Sequence, residues 1–193
     1  MTIILTPLCY AYLAGSVVLF GVWLVFFLAR KDLRKEMLTM SVLIGVLSVL
    51  TGYVWWTVDW WKPPTITHTI VGVEDLVMGF AAGGIMAAAY EVLFRRHPYH
   101  VRGKSVREAS PYTILIMLAL VTALLFWVFR LTSFWASTIA LIVGAAVLFF
   151  FRPDLFPIGL LSGILMTVIS LFFYFTIIWL SPDWINHTYQ FKS

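Results

Sequence analysis

Six apolar runs, at about residues 8–29, 38–58, 70–94, 111–129, 133–151 and 155–180, approach or exceed the roughly 20 residues a helix needs to cross a bilayer's hydrocarbon core. In hydrocarbon, backbone N–H and C=O groups have no water to bond, so runs of this length must satisfy themselves as helices. Charged residues make up 11% of the chain and mean hydropathy is +0.95, which excludes an ordinary soluble domain, where charged residues are about 25%. The expected fold is therefore an all-α polytopic membrane domain with six transmembrane helices. No basic segment precedes the first run, and Arg30-Lys31 follows it. A cleaved signal has the reverse pattern, so the first run is expected to stay as a helix.

The basic residues orient these runs. Of the 13 Lys and Arg, Arg30, Lys31, Arg34 and Lys35 lie between runs one and two, and Arg95, Arg96, Arg102, Lys104 and Arg107 between three and four. Arg152 lies between five and six, and only Lys62, Arg130 and Lys192 fall on the opposite side. Cytoplasmic loops of membrane proteins carry the excess of Lys and Arg. The reading is a multi-pass protein of the cell membrane, both termini outside, with the lipid bilayer as its first partner. This topology accounts for the net charge of +4 and leaves no reason to invoke nucleic acid. The single cysteine, Cys9, excludes an intrachain disulfide and a cysteine-based metal site.

Within run three, Gly72-Val73-Glu74-Asp75 sets two adjacent carboxylates about one turn into the outer half of the membrane. Each ionisable group inside a spanning helix costs roughly 2.5–3.5 kcal/mol on insertion scales, and those that persist mark proton or substrate sites facing a bundle interior. A plainer reading stands beside this one. One of the two caps the helix N-terminus, where the dipole favours negative charge by about 0.3–1 kcal/mol. Ahead of the pair runs the longest outer connection, from Trp55 and Trp56 through Asp59, Trp60, Trp61, Lys62 and Pro63-Pro64 to His68. Its four tryptophans read either as an interfacial belt or as rings beside Glu74 that offer π faces to a cation. Asp59 reads as an interfacial cap or partner. His68 reads as a polar anchor, since no second His or Cys stands at ligand spacing, and no metal site is expected.

Gly79, Gly83 and Ala87 recur every four residues along the same run, with Gly84 and Ala88 beside them. Such stripes let helix backbones approach closely, so this helix is expected at the centre of the bundle. Near its inner end Glu91 stands one turn before Arg95, the spacing of an i, i+4 ion pair. The basic inner loop that follows closes with Ser110 as an N-cap and Pro111 at the first helical position.

The chain also repeats itself. Arg30-Lys31-Asp32-Leu33 precedes one apolar run and Asp59-Trp60 follows it, while Arg152-Pro153-Asp154-Leu155 precedes another and Asp183-Trp184 follows. The Asp-to-Asp spacings are 27 and 29 residues. Membrane folds are often built from internal repeats, so residues 1–110 are read as one three-helix half and residues 111–193 as a second, similar half. Glu74 follows Asp59 by 15 residues, but the sequence continues for only 10 beyond Asp183. The second half is therefore expected to lack its third helix, which a longer chain or another subunit would supply.

An apolar helix, a basic Arg-x-Asp turn, a second helix ending in a Trp- and Asp-rich outer loop, and Gly72-Val73-Glu74-Asp75 opening a third helix resemble a known family. It is the flavin-independent lycopene cyclase domain of heterodimeric bacterial and fused archaeal or fungal carotenoid cyclases. That family's signature is Pro-x-Glu-Glu/Asp, once in each three-helix half. Here Gly72 replaces the proline, and the second copy is absent. The resemblance implies an intramolecular lyase or isomerase of carotenoid biosynthesis, acting on a linear carotenoid or another apolar isoprenoid as a homo- or hetero-oligomer. It implies Glu74 and Asp75 as the catalytic pair. Trp55, Trp56, Asp59, Trp60 and Trp61 of the outer loop, Phe80 of run three, and Trp179, Asp183 and Trp184 of the second half are implied as the substrate-binding surface.

The chemistry is consistent with these residue types. Cyclising a linear carotene end requires a proton delivered to a terminal trisubstituted alkene, a tertiary cation kept from water, and a base to take a proton afterwards. A carboxylic acid in an apolar site keeps its proton near neutral pH because desolvation disfavours the bare carboxylate. Glu74 suits the acid, and Asp75, rotated about 100° from it on a helix, suits the partner. Nothing in the scheme needs a flavin or nicotinamide, no Gly-rich dinucleotide fingerprint follows a strand, and no cofactor is expected. A retinal Schiff base would need a lysine within a span, and Lys62 and Lys192 both lie outside. A diphosphate prenyltransferase would need clustered aspartates for Mg²⁺, and none are present. A hydratase that traps the same cation with water, and a non-catalytic membrane subunit that binds carotenoid or a partner, stay open as alternatives.

Overall fold

Residues 7–94 and 111–189 are described by the computed structural model. Their regular structure is helical. The long apolar α1 (Pro7–Ala29) leads through a 3₁₀ turn (Lys31–Leu33) into α2 (Arg34–Thr51), a π turn (Gly52–Trp56) and the one-turn α3 (Thr57–Asp59). After the outer connection come α4 (Val73–Phe94), α5 (Pro111–Trp127) and α6 (Ser133–Phe151). A second 3₁₀ turn (Pro153–Leu155), α7 (Phe156–Leu180) and the short α8 (Trp184–Thr188) complete the order.

Among the described residues, five helical stretches are long and apolar enough to cross a membrane: Leu8–Ala29, Lys31–Asp59, Val73–Phe94, Ser133–Phe151 and Pro153–Leu180. The apolar stretch of α5, Thr113–Trp127, is shorter. The distribution of side chains is that of a membrane protein. Val25, Leu28, Val42, Leu120 and Phe150 are exposed, whereas Ser16, Ser41 and Ser133 are fully buried. Lipid tails are as apolar as leucine, so a lipid-facing surface loses nothing by exposing such residues, while small and polar residues gather where helices meet.

The described residues pack into two compact units, residues 7–94 with 158–189, and residues 111–157. In the first, the glycines of α4 are contact points. A Cβ on Gly83 would stand 2.6 Å from the carbonyl oxygen of Met40 on α2, and one on Gly79 or Gly84 would collide with Ser48 or Trp23. Hydrogen bonds fasten the same seams: Ser48 Oγ donates to the Asp75 carbonyl at 2.9 Å, and Trp23 Nε1 donates to Ser41 Oγ at 2.9 Å. At the α1–α7 contact, a Cβ on Gly15 would stand 2.8 Å from Ile177 and 3.0 Å from Phe173. Within this unit the glycine-striped helix packs closely on both α1 and α2, the close approach expected of such a stripe. In the second unit α5 and α6 meet where Gly144 faces Leu118.

The Arg-x-Asp repeat has a matching local geometry. Arg30 donates through Nε and Nη2 to the two Asp32 oxygens at 2.9 and 2.7 Å, and Arg152 does the same to Asp154 at 2.9 and 2.8 Å. Each fork folds onto a 3₁₀ turn that leads into the next long helix. Arg30 also donates to the Glu91 carbonyl oxygen at 2.5 Å, tying the C-terminal ends of α1 and α4 together. Arg95, the expected partner of the Glu91 side chain, and the cap Ser110 lie outside the described residues; Pro111 does open α5.

One expectation shifts. Run three begins at Ile70, but α4 begins at Val73, so Glu74 and Asp75 lie in its first turn rather than one turn inside it. The reason is local to the carboxylates themselves.

Candidate functional site

Both carboxylates fold back onto the N-terminus of α4. Asp75 Oδ2 accepts the backbone N–H of Gly72 at 2.8 Å. With Gly72 as the N-cap and Asp75 as the third helical residue, this is the side-chain-to-backbone half of a capping box, which ends the helix at Val73. Glu74 reaches further back, and its Oε1 accepts the N–H of Ile66 at 2.5 Å. Ile66 belongs to a loop tied by its own threonines: Thr65 Oγ1 donates to the Thr69 carbonyl at 2.8 Å, and Thr69 Oγ1 to that of Val71 at 2.7 Å. His68 turns this loop with a left-handed φ of 54°. The Thr65–Val71 loop is therefore strapped across Glu74.

The two side chains are partnered differently. Asp75 Oδ1 accepts the hydroxyl of Tyr12 at 2.6 Å, so both its oxygens are engaged. Glu74 is fully buried, and its Oε2 makes no hydrogen bond. That oxygen packs against Gly72, where a Cβ would collide with it and would stand 2.7 Å from Thr65. A glycine at position 72 thus has two physical causes: it supplies the N–H that Asp75 takes, and it leaves room for Glu74.

Above the pair lies an aromatic cluster assembled from three parts of the chain. Tyr12 of α1 is fully buried, its ring centroid 6.0 Å from Trp61, 6.2 Å from Phe173 and 5.7 Å from Trp184. Trp61 and Trp184 meet edge to face at 5.7 Å, and Trp60 stacks on Tyr189 at 5.7 Å. Edge-to-face and offset contacts of this kind add about 0.5–1.5 kcal/mol each beyond area burial. The Lys62 N–H donates to the Thr188 carbonyl at 2.9 Å, and the Trp61–Tyr189 bridge runs beside it, so α8 is laced to the outer connection. Tyr174 and Tyr189 share a hydrogen bond at 2.9 Å; burial first, then this bond, pushes the Tyr189 hydroxyl well above the ordinary tyrosine range.

No protein-family model, curated protein or solved structure matches this chain.

Of the residues singled out from the sequence, Asp75 joins the cluster through Tyr12, which packs on Trp61 and Trp184, and Trp56 and Trp60 pack against it, while the adjacent Glu74 turns to Ile66 and Gly72. Trp55 and Asp59 are buried; the π turn ahead of Asp59 adds a residue to the helical turn and carries Trp55 inward. Phe80 lies with a neighbouring cluster, 5.1 Å from Trp23. Trp179 is 84% exposed and Asp183 is exposed, so neither lies in the cluster. Tyr12, Phe173 and Tyr189 were not singled out. Tyr12 and Ser16, four residues apart in a run that is otherwise largely aliphatic and aromatic, are the signal that marks a buried polar face on α1.

Beside Asp75, Leu76, Val77 and Phe80 of α4 join Phe20 of α1 and Val42 and Val46 of α2 around an apolar groove of about 330 Å³. Phe20, Trp23 and Phe27 stack in series along α1, at 5.2 and 4.8 Å. The region therefore combines a carboxyl pair at a helix N-terminus, a buried cluster of aromatic rings against Asp75, and an apolar groove along the Leu76–Phe80 stretch of α4.

Proposed function

We propose that this protein is a membrane-embedded carotenoid cyclase of the lycopene cyclase kind, working by proton-initiated closure of a linear carotene end group. The observation that carries the reading is the asymmetry of the two buried carboxyls. Glu74 Oε1 already accepts an N–H, so a Glu74 proton resides on Oε2, the oxygen with no other bond. Asp75 accepts from both Gly72 and Tyr12, so each of its oxygens already serves as an acceptor. An acid and a base side by side are the two groups the chemistry needs. Glu74 transfers its proton to the terminal alkene, the resulting tertiary cation is attacked by an internal double bond to close the ring, and loss of a ring proton to a carboxylate restores neutrality. The product is an isomer of the substrate, so no redox partner enters.

The surrounding residues support the same reading. Tyr12, Trp61 and Trp184 form a buried aromatic cluster beside Asp75, of the ring type that attracts a cation, and the groove at Leu76 and Phe80 suits an apolar isoprenoid chain. In the finer layout we propose, six helices in two similar halves place both termini on the outer side of the cell membrane, with Arg30 and Arg152 at the inner ends of their repeats. Expression in a lycopene-accumulating host tests the reading by pigment analysis. A cyclic product supports it; unchanged lycopene contradicts it.

A second reading has its own observation. Three of the four carboxyl oxygens bond to Gly72, Tyr12 and Ile66, contacts that also serve to cap α4 and hold the outer loop. In that reading the protein is a non-catalytic membrane subunit, and its pigments pass through unchanged.

A further inference from the structure

Tyr12 lies 63 residues from Asp75 in sequence, yet its hydroxyl is the only side-chain donor that reaches the pair among the described residues, at 2.6 Å from Oδ1. The ring behind that hydroxyl is fixed on several sides by Trp61, Phe173 and Trp184, and the whole side chain is buried. A phenol held this rigidly does not choose its partner; it imposes a direction on the carboxyl it meets. Because Oδ2 is held in turn by the Gly72 N–H, the plane of the Asp75 carboxyl is set by two donors from different elements. Among the described residues Glu74 has no corresponding side-chain donor, and its Oε1 accepts the Ile66 N–H.

We propose that Tyr12 is a positioning residue that holds Asp75 in the acceptor role, so that of two adjacent carboxyls Asp75 takes the returning proton while Glu74 delivers the first. The inference rests on the cyclase reading. It adds that the division of labour is imposed from α1, through a residue kept in place by the second-half residues Phe173 and Trp184. The donor does not touch the reacting carbons, and its effect is exerted through Asp75. In the ring-closing sequence, the C–H bond of the closed ring breaks, its electron pair neutralises the cation as the new double bond, and its proton passes to an Asp75 oxygen and from there to the Glu74 carboxylate, which resets the pair for the next turnover.

The test uses the full chain in lipid nanodiscs and in membranes of the lycopene-accumulating host. Tyr12→Phe keeps the ring and removes the donor; Tyr10→Phe, at an exposed neighbouring tyrosine, is the control. Two readouts are combined. In infrared difference spectra the tyrosine C–O band assigned by its loss in Tyr12→Phe should shift in Asp75→Asn and stay in place in Glu74→Gln. In turnover, Tyr12→Phe should lower kcat about 10- to 100-fold, at the low end of what general acid–base groups contribute, with KM unchanged, the protein still folded and Tyr10→Phe at the parental rate. A parental rate in Tyr12→Phe, or a band indifferent to Asp75→Asn, overturns the proposal even if the parent cyclises lycopene. A parent chain that forms no cyclic product overturns the cyclase reading and with it the proton-return role, and the infrared band then reports only whether the hydrogen bond exists. Loss of folding in Tyr12→Phe would make the contact a structural one and overturn the proposal as well.

Discussion

Gly72 donates its backbone N–H to Asp75 Oδ2 at 2.8 Å, and the space a side chain would take at Gly72 is occupied by the carboxyl of Glu74. A single residue without a side chain therefore serves both carboxylates. Gly72→Ala should destabilise the protein by about 1–3 kcal/mol, the range for overpacking a filled site. Gly72→Pro should be worse, because it also removes the capping N–H, a loss of about 0.5–2 kcal/mol. Gly21→Ala, where an added Cβ meets nothing within 4 Å, should be neutral or stabilising. Thermal unfolding of the three variants in nanodiscs checks the order.

The tryptophans separate by environment. Trp184 is fully buried against Tyr12 and Trp61, so Trp184→Ala should destabilise by about 3–5 kcal/mol. Trp179, 84% exposed on α7, should tolerate alanine within about 0.5 kcal/mol. The same unfolding measurement compares them, and equal losses would contradict this placement.

The extent to which the site could be read from sequence follows from the range of each interaction. The apolar runs, the glycine stripe of α4 and the two Arg-x-Asp turns are local patterns, and each reappears as a helix, a close packing seam or a bidentate fork. The hydropathy of run three continues through Ile70 and hides the start of α4 at Val73; only the reading of one carboxylate as a cap pointed to it, and the Gly72 N–H meeting Asp75 is that cap. Tyr12 was hidden for the opposite reason. Its partner is 63 residues away, and a tyrosine near the end of an apolar run reads as an interfacial anchor until α4 is placed beside it. Trp179 and Trp184 share a composition signal but not a face: α7 turns Trp179 outward, whereas α8 turns Trp184 onto Tyr12. Composition counts tryptophans without telling these apart.

Topology is open to direct measurement. With Cys9 replaced by serine, cysteines introduced by Ser105→Cys and Ser193→Cys should react with impermeant thiol reagents from opposite sides, position 105 from the inner face and position 193 from the outer. Labelling of position 193 from the inner face alone would contradict the orientation drawn from the ten basic residues of the inner loops.

The most direct measurement of the central claim is the pigment made by Glu74→Gln in a lycopene-accumulating host. The substitution keeps the shape of a fully buried side chain and an oxygen for the Ile66 N–H, but it removes the acid. The account predicts an inserted, folded protein whose cyclic product falls by about 10²–10⁴-fold, the usual contribution of a general acid, while Glu91→Gln retains most of the parental yield. Cyclic carotenoid at the parental level from Glu74→Gln would contradict it and leave Glu74 as the clasp of the outer loop.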